Sequence, residues 1–311
     1  IYKSDSHPSE YDSDEANYPS TPGEIPLSQA GSLFLINSLI FSSIIFESKV
    51  PLPTLSIFPD HAKLVKHFIG ANGPENIGGE EPGVVDAILA LGLCLENSNQ
   101  FVSGPLEDED FLQYLQSLSL LSANCPSPTL RYNAHLLTSS ILHAHPTDRL
   151  RLTFISDTLE HCPYETLKAS AVSWLKEEMI TANVRKSENV FASTVALGAA
   201  QPYLFPATSA LADASDEELL QEIQQAFPFH MAVVNFLFFL RGPAYSHVVP
   251  TGMLEVVEEI YLGPLRTAQQ KLLAALDGGS LELDSSTDST RVEIQLLGER
   301  IGMCAAGSDA K

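Results

Sequence analysis

The sequence predicts an all-α chain built as a stack of helical repeats, and three observations lead there. Apolar residues recur at helical spacing in block after block from Leu27 onward, strand-type alternation is nearly absent, and one segment returns at a fixed distance.

Residues 1–26 set one lysine against six carboxylates among scattered prolines. So little apolar surface does not offset the entropy of ordering the chain, and a disordered acidic lead-in is expected there. From Leu27 the pattern predicts one helical-repeat domain over 27–305, followed by a disordered tail at 306–311. Helix-length blocks fall near 29–47, 60–69, 82–97, 107–123, 129–144, 148–162 and 165–182, then near 190–199, 216–226, 229–240, 251–275 and 290–304. Leu130, Ala134, Leu137 and Ile141 fall on one stripe. So do Leu152, Ile155, Leu159 and Cys162, and Ile294, Leu297, Ile301 and Cys304. Start signals agree with these bounds: Ser215 with Glu218 reads as a capping box, and Thr147 precedes the block at 148.

The repeat is local and well defined. The segment beginning Cys125-Pro126 matches the one beginning Cys162-Pro163, with Thr129/Thr166, Leu130/Leu167, Arg131/Lys168 and Ala134/Ala171 in step, a period of 37 residues. That period is close to those of helical-hairpin arrays, in which each unit buries its apolar face only against its neighbours. The fold class is therefore an α-solenoid of ARM/HEAT-like helical repeats. In this register Trp174 answers Leu137 and reads as a core spacer between repeats, with Leu130, Leu167, Cys125 and Cys162 as structural positions.

Lys and Arg number 17 against 39 Asp and Glu, a net charge of -22. Such a chain repels nucleic acid and anionic membrane surfaces and favours basic partners. The longest apolar stretches, Leu33 to Phe46 and Met231 to Leu240, are shorter than the roughly 18–20 residues of a spanning helix. Four dispersed cysteines form no disulfide framework and no secretory signal opens the chain, so a cytoplasmic location, with access to the nucleus, is expected. The start at Ile1, within an acidic run, suggests a piece of a longer protein. The central stretch is close to neutral, and its cations Arg131, Arg149, Arg151, Lys168 and Lys176 are the candidate partner-binding surface.

The sequence points to no catalysis, cofactor or metal. His143 and His145 are two apart, which does not converge on one ion, and with His135 they read as ordinary helical histidines, those at the helix end favoured by the dipole. His161 and Cys162 are adjacent, so they do not face one another as a base and a nucleophile. Gly78-Gly79 and Gly278-Gly279 lack any phosphate-loop context. Cys94 and Cys304 read as buried, and Phe236, Phe238 and Phe239 as parts of a buried helix.

The stretch RLRLTFISDTLEHCPYETLKASAVSWLKEE, Arg149 to Glu178, resembles the fungal YAP-binding branch of the YAP-binding/ALF/glomulin family, a branch that also includes kinetochore-associated proteins. The likeness is strongest over 126–182 and extends more weakly to Gly23–Leu35. It implies an adaptor without an active site, binding a basic-leucine-zipper stress regulator and helping a thiol peroxidase oxidise it. The kinetochore branch implies a structural role instead, and the glomulin branch implies binding to a RING subunit of a cullin ligase.

Overall fold

A computed structural model describes residues 21, 24–47, 54–71, 73–278, 281 and 287–306. Most of the expected lead-in and tail lies outside these residues. The chain divides into two units, Ile1–Pro53 and Thr54–Lys311. In the first, α1 (Gln29–Ile45) starts where the Ser28 hydroxyl accepts from the Gly31 N–H, at 3.0 Å.

Among its described residues the regular secondary structure of the second unit is helical, apart from one isolated bridge between Phe58 and Val102. Its helices are α2 (Asp60–Phe68), α3 (Pro82–Asn97), α4 (Asp108–Asn124), α5 (Pro128–Ala144), α6 (Asp148–His161), α7 (Glu165–Arg185), α8 (Thr194–Leu204), α9 (Asp216–Leu240), α10 (Met253–Val257), α11 (Gly263–Gly278) and α12 (Thr287–Ala306). Hairpins α2–α3, α4–α5 and α6–α7 stack so that α2, α4, α6 and α8 form one row and α3, α5, α7 and α9 the other. Helices α11 and α12 close the far end against α9.

The repeat register holds in three dimensions. Cys125 and Cys162 are the C-caps of α4 and α6, each extended and each followed by proline, which ends the helix. Leu130 and Leu167, Ala134 and Ala171, and Leu137 and Trp174 are all buried. The register also reaches back into the preceding helices, where Leu115 and Leu118 on α4 answer Leu152 and Ile155 on α6. Neighbouring repeats are tied at the turns, where Asn124 Nδ2 donates to Tyr164 Oη at 3.1 Å. Gly78 packs onto the same end of α4, and any Cβ there would lie 2.8 Å from Asn124.

Several expectations are corrected. The blocks at 216–226 and 229–240 are one helix, α9, which runs through Pro228. Proline removes a single backbone N–H, and tertiary packing of Leu219, Ile223, Val233, Val234 and Leu237 outweighs that loss. Helix α9 thereby becomes long and apolar enough to cross a membrane by length and composition, although half of its most apolar window is buried in the fold. Ser215 and Glu218 do form a capping box there, whereas Thr147 caps α6 without a side-chain hydrogen bond. The block at 251–275 is interrupted by a π-helical turn, Glu258–Leu262. Thr208 occupies the carbonyls displaced there, its N–H donating to Ile260 at 3.0 Å and its hydroxyl to Tyr261 at 2.8 Å. Phe236 is buried but Phe238 points to solvent, and Cys94 is only half-buried.

Candidate functional site

The stack is not uniform. Within each row α2 lies close to α4, α6 to α8, α3 to α5 and α7 to α9, whereas α4 and α6, and likewise α5 and α7, approach each other less closely. The junction between hairpins α4–α5 and α6–α7 is therefore splayed, and its centre is filled by side chains. Trp174, 1% exposed, stacks on His135 and lies against Phe154, each with a centroid separation of 5.8 Å. The buried indole N–H finds no acceptor among the described residues.

Beside it lies a polar hub. Glu178 sits on α7 at the repeat position that Ile141 occupies on α5, and both are buried. Its carboxylate accepts from Arg151 Nη2 at 3.0 Å and faces Arg151 Nε at 2.9 Å, an ion pair without the alignment of a hydrogen bond. Arg151 Nη1 donates to the His145 carbonyl, and the guanidinium lies over the Phe191 ring. His143 reaches across from α5, with Nδ1 2.7 Å from Glu178 Oε1 and Nε2 2.8 Å from Glu177 Oε2. Burial opposes charge on the ring, but the hydrogen bonds and charges of Glu177 and Glu178 outweigh it and raise His143 to about 9. The hydrogen bond from His143 holds the Glu177 carboxyl below its usual range. His143 is thus an inter-repeat ion-pair partner, a stronger role than the helix-dipole one expected of it.

The five candidate cations are placed as follows. Arg151 is buried in the hub. Arg131 Nη1 donates to the Cys125 and Pro126 carbonyls at 2.8 and 3.2 Å, closing the end of α4. Lys168 pairs with Glu165 at 2.9 Å and lies over Phe229, and Lys176 lies over Phe239. The Arg149 side chain is exposed on α6. The structure does not bring these five to one point.

Concave surface lies instead at the junctions of the stack. Between α4 and α6 runs a groove of about 390 Å³ lined by Leu112, Leu120, Phe154, Asp157, Cys162 and Leu167. Between α2 and α4 lies a smaller one, about 240 Å³, with Lys63, Lys66 and Asp110 among its walls. On the other row a hollow of about 210 Å³ at the α5/α7 step is lined by Arg131, Tyr132 and His135, and Tyr132 is 64% exposed. Sequence periodicity shows which residues face a neighbouring helix but not how far away that neighbour stands, so the groove residues were not legible. The position of Glu178 was legible, since the 37-residue register sets it opposite Ile141.

Cys162 Sγ accepts from the Tyr164 N–H at 3.4 Å, and burial raises its thiol pKa, the opposite of an activated nucleophile. His161 beside it is exposed, 3.5 Å from Glu160. His135, His143 and His145 are drawn apart, to Trp174, to Glu177 and Glu178, and to the Thr147 N–H. Among the described residues no three His, Cys, Asp or Glu side chains converge as a metal site.

A sequence model of the family described as YAP/Alf4/glomulin matches residues 5–299. No curated protein matches the chain.

Proposed function

The chain belongs to the YAP/Alf4/glomulin family, and on that premise we propose that it is a non-catalytic adaptor that binds a zipper-type stress regulator and promotes its peroxide-dependent oxidation by a bound thiol peroxidase. The family match over 5–299 carries this reading. An adaptor of this kind accelerates thiol transfer by raising the effective concentration of two bound proteins, a gain that depends on geometry. Its own thiols fit a bystander role: Cys125 and Cys304 are buried, Cys304 donates to the Val234 carbonyl at 3.3 Å, and burial raises the pKa of both Cys162 and Cys304. Its place of action is the cytoplasm, with access to the nucleus.

Affinity capture from unstressed and peroxide-treated fungal cells tests the partner. A zipper-type regulator together with a peroxidase is the expected result. Kinetochore subunits, or cullin and RING subunits, would overturn it in favour of those branches of the family. A variant with all four cysteines changed to Ala, folded by its helix content, is expected still to promote oxidation of the regulator. Loss of that oxidation with partner binding intact would show that one of the thiols relays the oxidant.

A further inference from the structure

We propose that the groove between α4 and α6 is the docking site for a short amphipathic helix whose apolar side chains fill it and whose flanking lysines or arginines meet its acidic rim. The inference rests on the adaptor reading and assigns it a surface. The row α2, α4, α6, α8 is close-packed on either side of this step but open at it, and α7 closes the gap from below, contributing Leu167. The floor is apolar, with Phe154 and Leu167 buried, and Leu112 and Leu120 form half-buried walls. A volume of about 390 Å³ lies at the low end of the roughly 300–1,000 Å³ usual for a ligand cleft and suits a few large side chains inserted from outside. Ser119 lines the same groove with a buried hydroxyl that has no hydrogen-bond partner among the described residues.

Two properties select the occupant. The walls are helices whose backbone groups are spent on their own hydrogen bonds, so an extended peptide would find no strand edge to pair with. A segment that satisfies its own backbone, a helix, loses nothing on docking and can pack between two wall ridges. Charge selects the flanks. No Lys or Arg lines the groove; Asp157 does, and Glu160 is exposed one turn along α6, where it accepts from the Tyr203 hydroxyl and lies 3.5 Å from His161, the one histidine of the lining. The neighbouring α2/α4 groove has the opposite rim, with Lys63 and Lys66 exposed beside Asp110. A basic helix is therefore drawn to one groove and turned away from the other.

Selection from a displayed library of random short peptides, using the whole chain as bait, tests this. Enriched sequences are expected to carry apolar residues at helical spacing flanked by Lys or Arg. A synthetic copy of the strongest should lose about tenfold or more in affinity against Leu112→Glu or Asp157→Lys, and little against Lys63→Glu. Helix content and melting temperature confirm that the variants fold. Enrichment of acidic or non-helical sequences, no enrichment at all, or binding indifferent to Leu112→Glu and Asp157→Lys overturns the groove assignment. The adaptor reading is judged separately, by capture with folded Leu112→Glu. If that variant still retains the zipper-type regulator, the adaptor stands and the groove falls; if library peptides seat in the groove while the wild type captures no such regulator, the reverse holds.

Discussion

Replacing Glu178 by Gln keeps the shape of the hub and removes its one buried negative charge. Arg151 is then left buried with its guanidinium facing a neutral amide, and His143 keeps only the more exposed Glu177. Breaking a buried pair by removing one partner costs about 3–5 kcal/mol, because the surviving charge is stranded away from water. For a unit of this size each kcal/mol moves the melting temperature by roughly 2–4 °C, so a fall of about 6–20 °C is expected in thermal melts followed by circular dichroism. The double variant Arg151→Met with Glu178→Ile removes both charges and restores the residue that α5 carries at this position, Ile141. It should recover most of the loss, to within about 1 kcal/mol of the wild type. His143 adds a pH signature. Its pKa rises from 6.5 to about 9 on folding, so its contribution is complete below pH 6.5 and is lost as pH climbs through 9. The shift corresponds to roughly 3 kcal/mol at most, reduced because Glu177 is half exposed. The stability gap between wild type and His143→Gln should accordingly close above pH 9. A Glu178→Gln variant as stable as the wild type, a double variant no better than the single, or a gap that widens with pH would refute the hub as the lock between these repeats.

Trp174→Ala should cost about 3–5 kcal/mol in urea denaturation, as a buried aromatic removed from between His135 and Phe154. Trp174→Phe should cost less than half of that, because the indole N–H has no hydrogen bond to a described residue to lose; equal losses would show otherwise. Gly92→Ala should cost about 1–3 kcal/mol, since the new Cβ would lie 2.6 Å from Leu137 Cδ2 and 2.7 Å from His61 Cε1. His61 cannot retreat: Nε2 donates to the Ile88 carbonyl at 2.8 Å and Nδ1 accepts from Tyr114 Oη at 2.9 Å, so an unchanged melting temperature would mean that this junction is looser than described. On the acid side, burial lowers both His61 and His230 from 6.5 to about 4. Their folded pKa values are depressed, so the stability they contribute is present above pH 6.5 and lost as pH falls through 4. Thermal midpoints should drop across that window by an amount that shrinks in His61→Gln and His230→Gln, and a drop of unchanged size in both variants would exclude these two rings as its cause.

Much of the architecture was already determined by the chain's own pattern. Helical periodicity, Pro and Ser punctuation and a 37-residue echo suffice for an all-α repeat stack, and they place Leu130, Leu167, Ala134, Ala171 and Trp174 in its core, because burial of one face per helix is a local rule read every three or four residues. Where a helix stops is also local at Cys125-Pro126 and Cys162-Pro163, but not at Pro228, where packing along α9 overrides the breaker. Only the tertiary structure decided what joins one repeat to the next. Glu178 stands where its counterpart is Ile141, and it is tolerated because Arg151 comes from the helix before it and His143 from the helix before that. The cations that look like a basic surface in sequence are largely turned onto helix ends, carboxylates and aromatic rings within the fold. The groove between α4 and α6 follows from the separation of two helices about 37 residues apart in the chain, and such a distance is set by everything packed around them rather than by the residues that line it.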